Sequence, residues 1–309
     1  MKAAKNKKTL KTAAAKCLLL WAVLTAPQFF ITACSSAPKR SMLVTSVQES
    51  AASYLEAANS FILTGNYTKA EEALNSAFNC AMSVDNATQL TSICLAKVSL
   101  KLSYNPPLID EAEIFADMAA GYAKYSDNAT KYQALTALSE VRIAAAKNQG
   151  TTQELINKLN KNTAAVKGDT YSEAQFKSVA GDVYRLKKDY ASAEASYREA
   201  ADIFTKNRYL SEIGITWYKI AQVCSLNSKK AQACTAIEQA IFYDRCAENS
   251  AALGADYYAK AIILMKGSIT DSQKQEALYS LEHSADIFKS VKMDDAAEKS
   301  LAKLKEFQN

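Results

Sequence analysis

Histidine, glycine and proline are scarce in this 309-residue chain, which has one histidine, eight glycines and four prolines. A lone imidazole, His283, with Glu282 beside it and neither Cys nor Asp at a ligand offset, makes no zinc site, which needs several converging ligands. There is no glycine-rich phosphate loop, no Gly-x-Ser-x-Gly elbow and no His-Glu-x-x-His pair. The paired acids Glu71-Glu72, Asp110-Glu111 and Asp294-Asp295 fall near expected helix starts, where the helix dipole favours them, and read as caps and solvated faces. The expectation is a protein without catalytic residues, metal or cofactor. No run of alternating β-branched residues reads as a strand. No long clean apolar run occurs either: the segment from Cys17 to Ile31 is interrupted by Pro27 and Gln28, short of the ~20 residues a spanning helix needs.

What is present begins with charge. Lys2, Lys5, Lys7, Lys8, Lys11 and Lys16 precede that apolar segment with no acid among them, and Ile31-Thr32-Ala33-Cys34-Ser35-Ser36 follows it. This order resembles a bacterial lipoprotein signal, with residues 31 to 34 in the place of the lipobox. The resemblance implies that 1–33 is cleaved, that Cys34 is lipidated on its sulfur and its new amino group, and that 34–42 is a short tether. An uncleaved N-terminal anchor is the rival, and both put the bulk of the chain outside the cytoplasm. Several acyl chains, at ~0.8 kcal/mol per buried CH₂, make such an anchor effectively permanent. Serine after the cysteine implies, by the enterobacterial rule, the periplasmic face of the outer membrane. Removing six lysines takes the formal net charge from +5 to −1. Acids and bases are interspersed from Glu49 to Lys305, without the one-sided basic face of a nucleic-acid binder.

Residues 43–309 are rich in Ala, Leu, Lys, Glu and Gln, which favours an all-α fold. Taking Gly65, Pro106, Gly150, Lys188, Ser228 and Gly267 as turn markers, successive gaps are 41, 44, 38, 40 and 39 residues, the spacing of stacked helical hairpins. Six hairpins fit, linked near Asp85, Ser126, Gly168, Asn207 and Asn249, with a capping helix from Asp294 to Phe307. Within them, Tyr54, Ala58, Phe61, Gly65, Tyr67, Ala70, Leu74 and Ala77 resemble a tetratricopeptide repeat (TPR). So do Gly181, Tyr184, Asp189-Tyr190, Ala193, Tyr197 and Ala200 in the fourth hairpin, and Trp217, Ala221, Cys224, Ala233, Ile237 and Ala240 in the fifth. The other three copies are degenerate: the second keeps Ala112 and Ala116, the third has Leu155 where alanine is expected, and the sixth keeps Ala277 and Leu281. The resemblance implies a right-handed TPR-like solenoid with a period near 40. That period exceeds the repeat's ideal 34 and requires either longer helices or longer loops, and HEAT or armadillo units are the alternative in this range.

The family's groove-facing offsets fall on Leu55, Asn59 and Ile62, on Ser178, Asp182 and Arg185, and on Tyr218, Gln222 and Ser225. Asn and Gln can pair with an extended backbone and Tyr218 can anchor a side chain; solvent-facing polar positions are the plain alternative. Besides Cys34, the mature chain has Cys80, Cys94, Cys224, Cys234 and Cys246. Cys224 and Cys234 straddle the Asn227-Ser228 turn evenly and form the candidate disulfide, although buried cysteine also serves as a small hydrophobe. Two functions follow from the resemblance. One is an anchored scaffold that binds another envelope protein or peptide, with homo-oligomers allowed. The other is an accessory TPR subunit of a TRAP-type solute transporter, holding a solute-binding protein or a hydrophobic ligand.

Overall fold

A computed structural model describes residues 45–308, and residues 46–309 form one compact unit. The signal, Cys34 and the whole tether lie outside the described residues. Thirteen α-helices and one short 3₁₀ turn, Ala164–Val166, make up the described chain, with no strand among them. The helices are α1 (Ser46–Leu63), α2 (Tyr67–Ser83), α3 (Ala87–Ser103), α4 (Ile109–Ala123), α5 (Ala129–Ala146), α6 (Thr152–Thr163) and α7 (Thr170–Leu186). They continue as α8 (Tyr190–Lys206), α9 (Leu210–Leu226), α10 (Lys230–Cys246), α11 (Ser250–Leu264), α12 (Asp271–Ser290) and α13 (Asp294–Gln308). Consecutive helices pair as six hairpins, and α13 packs on α12 as the cap.

The long period comes from the helices, not the loops. From α7 to α10 each helix has 17 residues and the next begins after a three-residue link, so a hairpin occupies forty. Each link is built alike. A residue in the left-handed region ends one helix, as at Lys188 (φ 64°), Arg208 (φ 58°), Ser228 (φ 58°) and Glu248 (φ 55°). The residue after it then opens the next helix. Where that residue is Asp189 or Asn249, its side chain accepts from the backbone N–H of Ser192 or Ala252 and satisfies one otherwise orphaned donor.

Small residues mark the crossings. Ala58, Ala70, Ala77, Ala193, Ala200, Ala233 and Ala240 are fully buried, which lets helix backbones approach while larger side chains fill the grooves beside them. Gly181 shows how close the approach is: a Cβ there would lie 2.5 Å from the ring of Tyr197, itself fully buried on α8. Glu71 and Glu111 are more than caps or solvated faces. Their carboxylates close on the buried Lys101 ammonium at 2.7 and 2.9 Å, and these bonds outweigh its burial and raise its pKa.

One buried polar cluster stands apart. Asp244 of α10 and Asp256 of α11 are each 1% exposed, face one another, and have no hydrogen-bond partner for any of their four oxygens as ionised groups. The Asp244 carboxylate lies on the backbone of α9 at Gly214, where any Cβ would collide with it. Burial pushes both carboxyls up, Asp256 past neutrality with the neighbouring charge adding to the shift, so the pair holds one proton between them.

Candidate functional site

The first helices of successive hairpins share one face of the stack. Along it runs a groove of ≈ 590 Å³ lined from α1, α3, α5 and α7, with Glu212 of α9 at one end. Leu55, Asn59 and Ile62, the three positions expected in the first hairpin, all line it. A second, smaller cavity of ≈ 190 Å³ opens between α9 and α11, and Tyr218, Gln222 and Ser225 line that one beside Tyr258, Ile262 and Lys266. The fourth-hairpin positions line neither cavity. Lys219 Nζ donates to Ser178 Oγ at 3.1 Å and to Asp182 Oδ2 at 2.9 Å, while the Tyr197 hydroxyl donates to Asp182 Oδ1 at 2.7 Å. Arg185 lies close enough to Tyr197 and Tyr218 to oppose the upward shift that burial gives both phenols. The nine residues therefore fall into two cavities and one self-satisfied polar network.

Lining residues missed in the sequence come mostly from the degenerate second and third hairpins, Leu95 and Ser99 of α3 and Tyr132, Leu135 and Arg142 of α5, with Tyr171 and Gln175 from α7 of the well-kept fourth. The signal was the period. Stepping forty residues from Leu55 reaches Leu95, Leu135 and Gln175, and stepping eighty from Ile62 reaches Arg142.

Of the four charges in the groove, Lys131 and Asp169 pair with each other, while Glu212 and Arg142 each meet a neutral hydroxyl. Lys131 Nζ lies 2.6 Å from Asp169 Oδ2, and Asp169 also accepts from Ser172 N and Oγ as the N-cap of α7. Those bonds outweigh burial and hold the Asp169 carboxyl below its usual range. The Tyr171 hydroxyl donates to Glu212 Oε1 at 3.1 Å, and burial together with that carboxylate pushes its pKa up. Arg142 differs: its Nη1 donates to Ser99 Oγ at 2.9 Å, and no carboxylate lies within ion-pair distance. Burial lowers its pKa, opposed by the more distant Asp182 and Tyr171.

A recess of ≈ 940 Å³, more voluminous than the groove, sits where Val84 to Thr88 meet Met118 and Tyr122 of α4 and Tyr125 just after it. Its polar groups answer one another: Asn86 caps Gln89, and Thr88 exchanges hydrogen bonds with Asp127. The groove, with an unpaired cation, offers more to a ligand.

The cysteines depart from expectation. Cys224 and Cys234 are both free thiols. Cys224 is buried toward Glu194 of α8, the preceding hairpin, whereas Cys234 meets Lys260 and Glu276 of the following one. Both border the core built around Tyr197, Ile220 and Ile237, and each thiol has different charged neighbours. His283 packs between Tyr257 and Tyr279, with Nε2 3.1 Å from the Tyr279 hydroxyl. Among the described residues no three His, Cys, Asp or Glu side chains converge so as to hold a metal ion. No helix there is long and apolar enough to cross a membrane.

No known family profile matches the chain, and no curated protein matches it by sequence. Solved structures do. A Rap protein complexed with competence and sporulation factor is 14% identical over 85% of this chain and 77% of that one, with a TM-score of 0.58. Aspartyl phosphate phosphatase F from Bacillus subtilis is 12% identical over 85% and 71%, with a TM-score of 0.52. A signal transduction ATPase with numerous domains and a tetratricopeptide repeat sensor, from Pyrococcus horikoshii, is 14% identical over 84% of this chain and 42% of its own, with a TM-score of 0.50. At such identities the likeness is one of fold, and that fold is the TPR-like helical solenoid.

Proposed function

We propose that this chain is a lipid-anchored scaffold of the bacterial envelope that holds an extended segment of a partner protein against the first helices of its hairpins. The observation that carries the reading is the groove of ≈ 590 Å³ shared by successive first helices, with Leu55, Asn59 and Ile62 in its lining. A line of leucines, Leu55, Leu95 and Leu135, offers apolar contacts along its length, while Asn59, Ser99 and Gln175 offer hydrogen bonds to a peptide backbone. The Rap neighbour was solved with competence and sporulation factor bound, which supports ligand capture by this architecture. A transporter accessory passing a hydrophobic ligand calls for an apolar lining, whereas this groove carries Lys131, Arg142, Asp169 and Glu212.

Cys34, followed by Ser35 and Ser36, supplies the anchor and favours the periplasmic face of the outer membrane. Two measurements test these points separately. Crosslinking of the full chain in its own cells, followed by purification, is expected to recover an envelope protein from the wild type and to lose it with Leu135→Glu in the groove. Equal recovery from both overturns the groove. Metabolic labelling with a palmitate analogue is expected to mark the wild type and leave Cys34→Ser unmarked; labelling of both overturns the anchor.

A further inference from the structure

The structure assigns one residue of the groove a ligand that the chain itself does not supply. Among the groove's cations, Lys131 is engaged by Asp169 at 2.6 Å, and Lys219, on the network beside it, by Asp182 at 2.9 Å. Arg142 is engaged only by the neutral hydroxyl of Ser99. A guanidinium presents five N–H donors in a planar fork matched to a carboxylate, and four of these have no acceptor in the protein. Taking such a group partly out of water without a counter-charge is costly, and the cost is recovered only when an anion arrives. Asp182, the nearest carboxylate to influence it, is already claimed by Lys219 and Tyr197 and lies beyond ion-pair distance.

We propose, on the reading of the groove as a peptide site, that Arg142 selects for an aspartate or glutamate side chain within the bound extended segment. The flanking register supplies the rest of the preference. Leu95 and Leu135 lie along the same lining, so the acid is accompanied by apolar residues that pack on them. The helix that carries Arg142 lies mid-groove, with lining from α1 and α3 on one side and from α7 and Glu212 on the other, which suits an internal acid over a chain terminus.

The test is a selection of phage-displayed twelve-residue peptides on the full chain in detergent micelles. The selected peptide is then measured by fluorescence polarisation, alongside its acid-to-amide counterpart and its C-terminally amidated form. The wild type is expected to lose about ten- to hundredfold in affinity when the internal acid becomes an amide, and to ignore amidation of the terminus. Arg142→Gln is expected to bind acid and amide peptides alike, and Arg142→Lys to keep part of the difference. Arg142→Met, which retains the aliphatic stem, replaces the glutamine variant if circular dichroism shows that variant unfolded. Discrimination undiminished in the variants overturns the assignment, as does affinity governed by the free terminus. Groove-dependent peptides with no acid preference overturn the inference alone. A selection yielding no peptide that Leu135→Glu weakens overturns the groove reading and the inference with it.

Discussion

Replacing Asp256 with asparagine should make the protein more stable at neutral pH and flatten its pH dependence. In the fold, Asp244 and Asp256 face each other at 1% exposure, and neither carboxylate has a partner when both are ionised. One shared proton turns two orphaned anions into a hydrogen-bonded pair. The unfolded chain has no use for that proton, since its aspartates titrate near the ordinary value of about 3.9. A carboxyl whose folded pKa is raised contributes stability at acid pH that is lost as pH climbs toward the folded value. The loss is about 1.4 kcal/mol for each pH unit in which the folded state holds the proton and the unfolded state does not. From pH 5 to pH 8 this amounts to about 4 kcal/mol. Asparagine supplies an N–H to Asp244 at every pH and removes the share of Asp256, leaving the smaller share of Asp244, whose own carboxyl burial pushes up to about 6.

The assay is urea unfolding of wild type and Asp256→Asn at pH 5, 6, 7 and 8 at fixed ionic strength, with Asp286→Asn, an exposed position on α12, as control. Because a solenoid's stability is a sum over hairpins and their neighbours, amide hydrogen exchange should place the difference in α9 to α12. Tyr218 is the nearby titratable group on α9, and its raised pKa keeps it neutral across this range. If the stability curves of wild type and Asp256→Asn run parallel from pH 5 to pH 8, the pair shares no proton and the reasoning fails.

Three further outcomes are expected. Gly181→Ala should destabilise by about 3 kcal/mol in urea unfolding, because the new methyl meets the immovable ring of Tyr197, while Gly121→Ala, with open space around it, should gain about 0.5–1 kcal/mol. Lys188→Gly, at a link residue with φ 64°, should raise stability by about 1 kcal/mol through relief of the left-handed penalty, read as an upward shift in the urea midpoint. With a thiol reagent, exposed Cys246 should react within minutes, whereas Cys94 and Cys224, whose buried thiols are pushed up to about 11, should wait for unfolding. Non-reducing mass mapping should find Cys224 and Cys234 unbridged.

The architecture was legible because its signals are local. The markers from Gly65 to Gly267 all fall in the turns within hairpins, and Asp85, Ser126, Gly168, Asn207 and Asn249 all fall in the links between them. Alanine and glycine at crossings are forced by backbone approach, so they stand out even in an unfamiliar sequence. Of the nine positions expected from the three well-kept repeats, only Leu55, Asn59 and Ile62 line the groove. It was lost in the second and third hairpins, where degenerate crossings hid the register and with it Arg142. The polar network at Ser178, Asp182 and Lys219 was beyond reach because its bonds join residues about forty positions apart. For Cys224 and Cys234, even spacing about a turn left a bridge and a pair of small buried hydrophobes both open, and the fold has them as free thiols.

Those failures and successes share one cause. With 17-residue helices and three-residue links, a position recurs every forty residues at the same place on the stack. The packing positions use that recurrence by staying the same: Ala193 and Ala233, like Ala200 and Ala240, stand forty apart and are all fully buried. The register of Ile62 uses it by changing, through Leu102, Arg142, Asp182 and Gln222, of which Arg142 shares the groove with Ile62 and Gln222 lines the smaller cavity. Two apolar side chains, a cation without a carboxylate, a paired anion and an amide succeed one another along it. Not every position on this register is free of the packing: Ile62 rests on the core of the first hairpin, and Asp182 accepts from Tyr197 at the Gly181 crossing. Arg142, whose guanidinium meets no carboxylate within the fold, is the position where, on the proposed reading, a change alters what a ligand meets and leaves the crossings as they are.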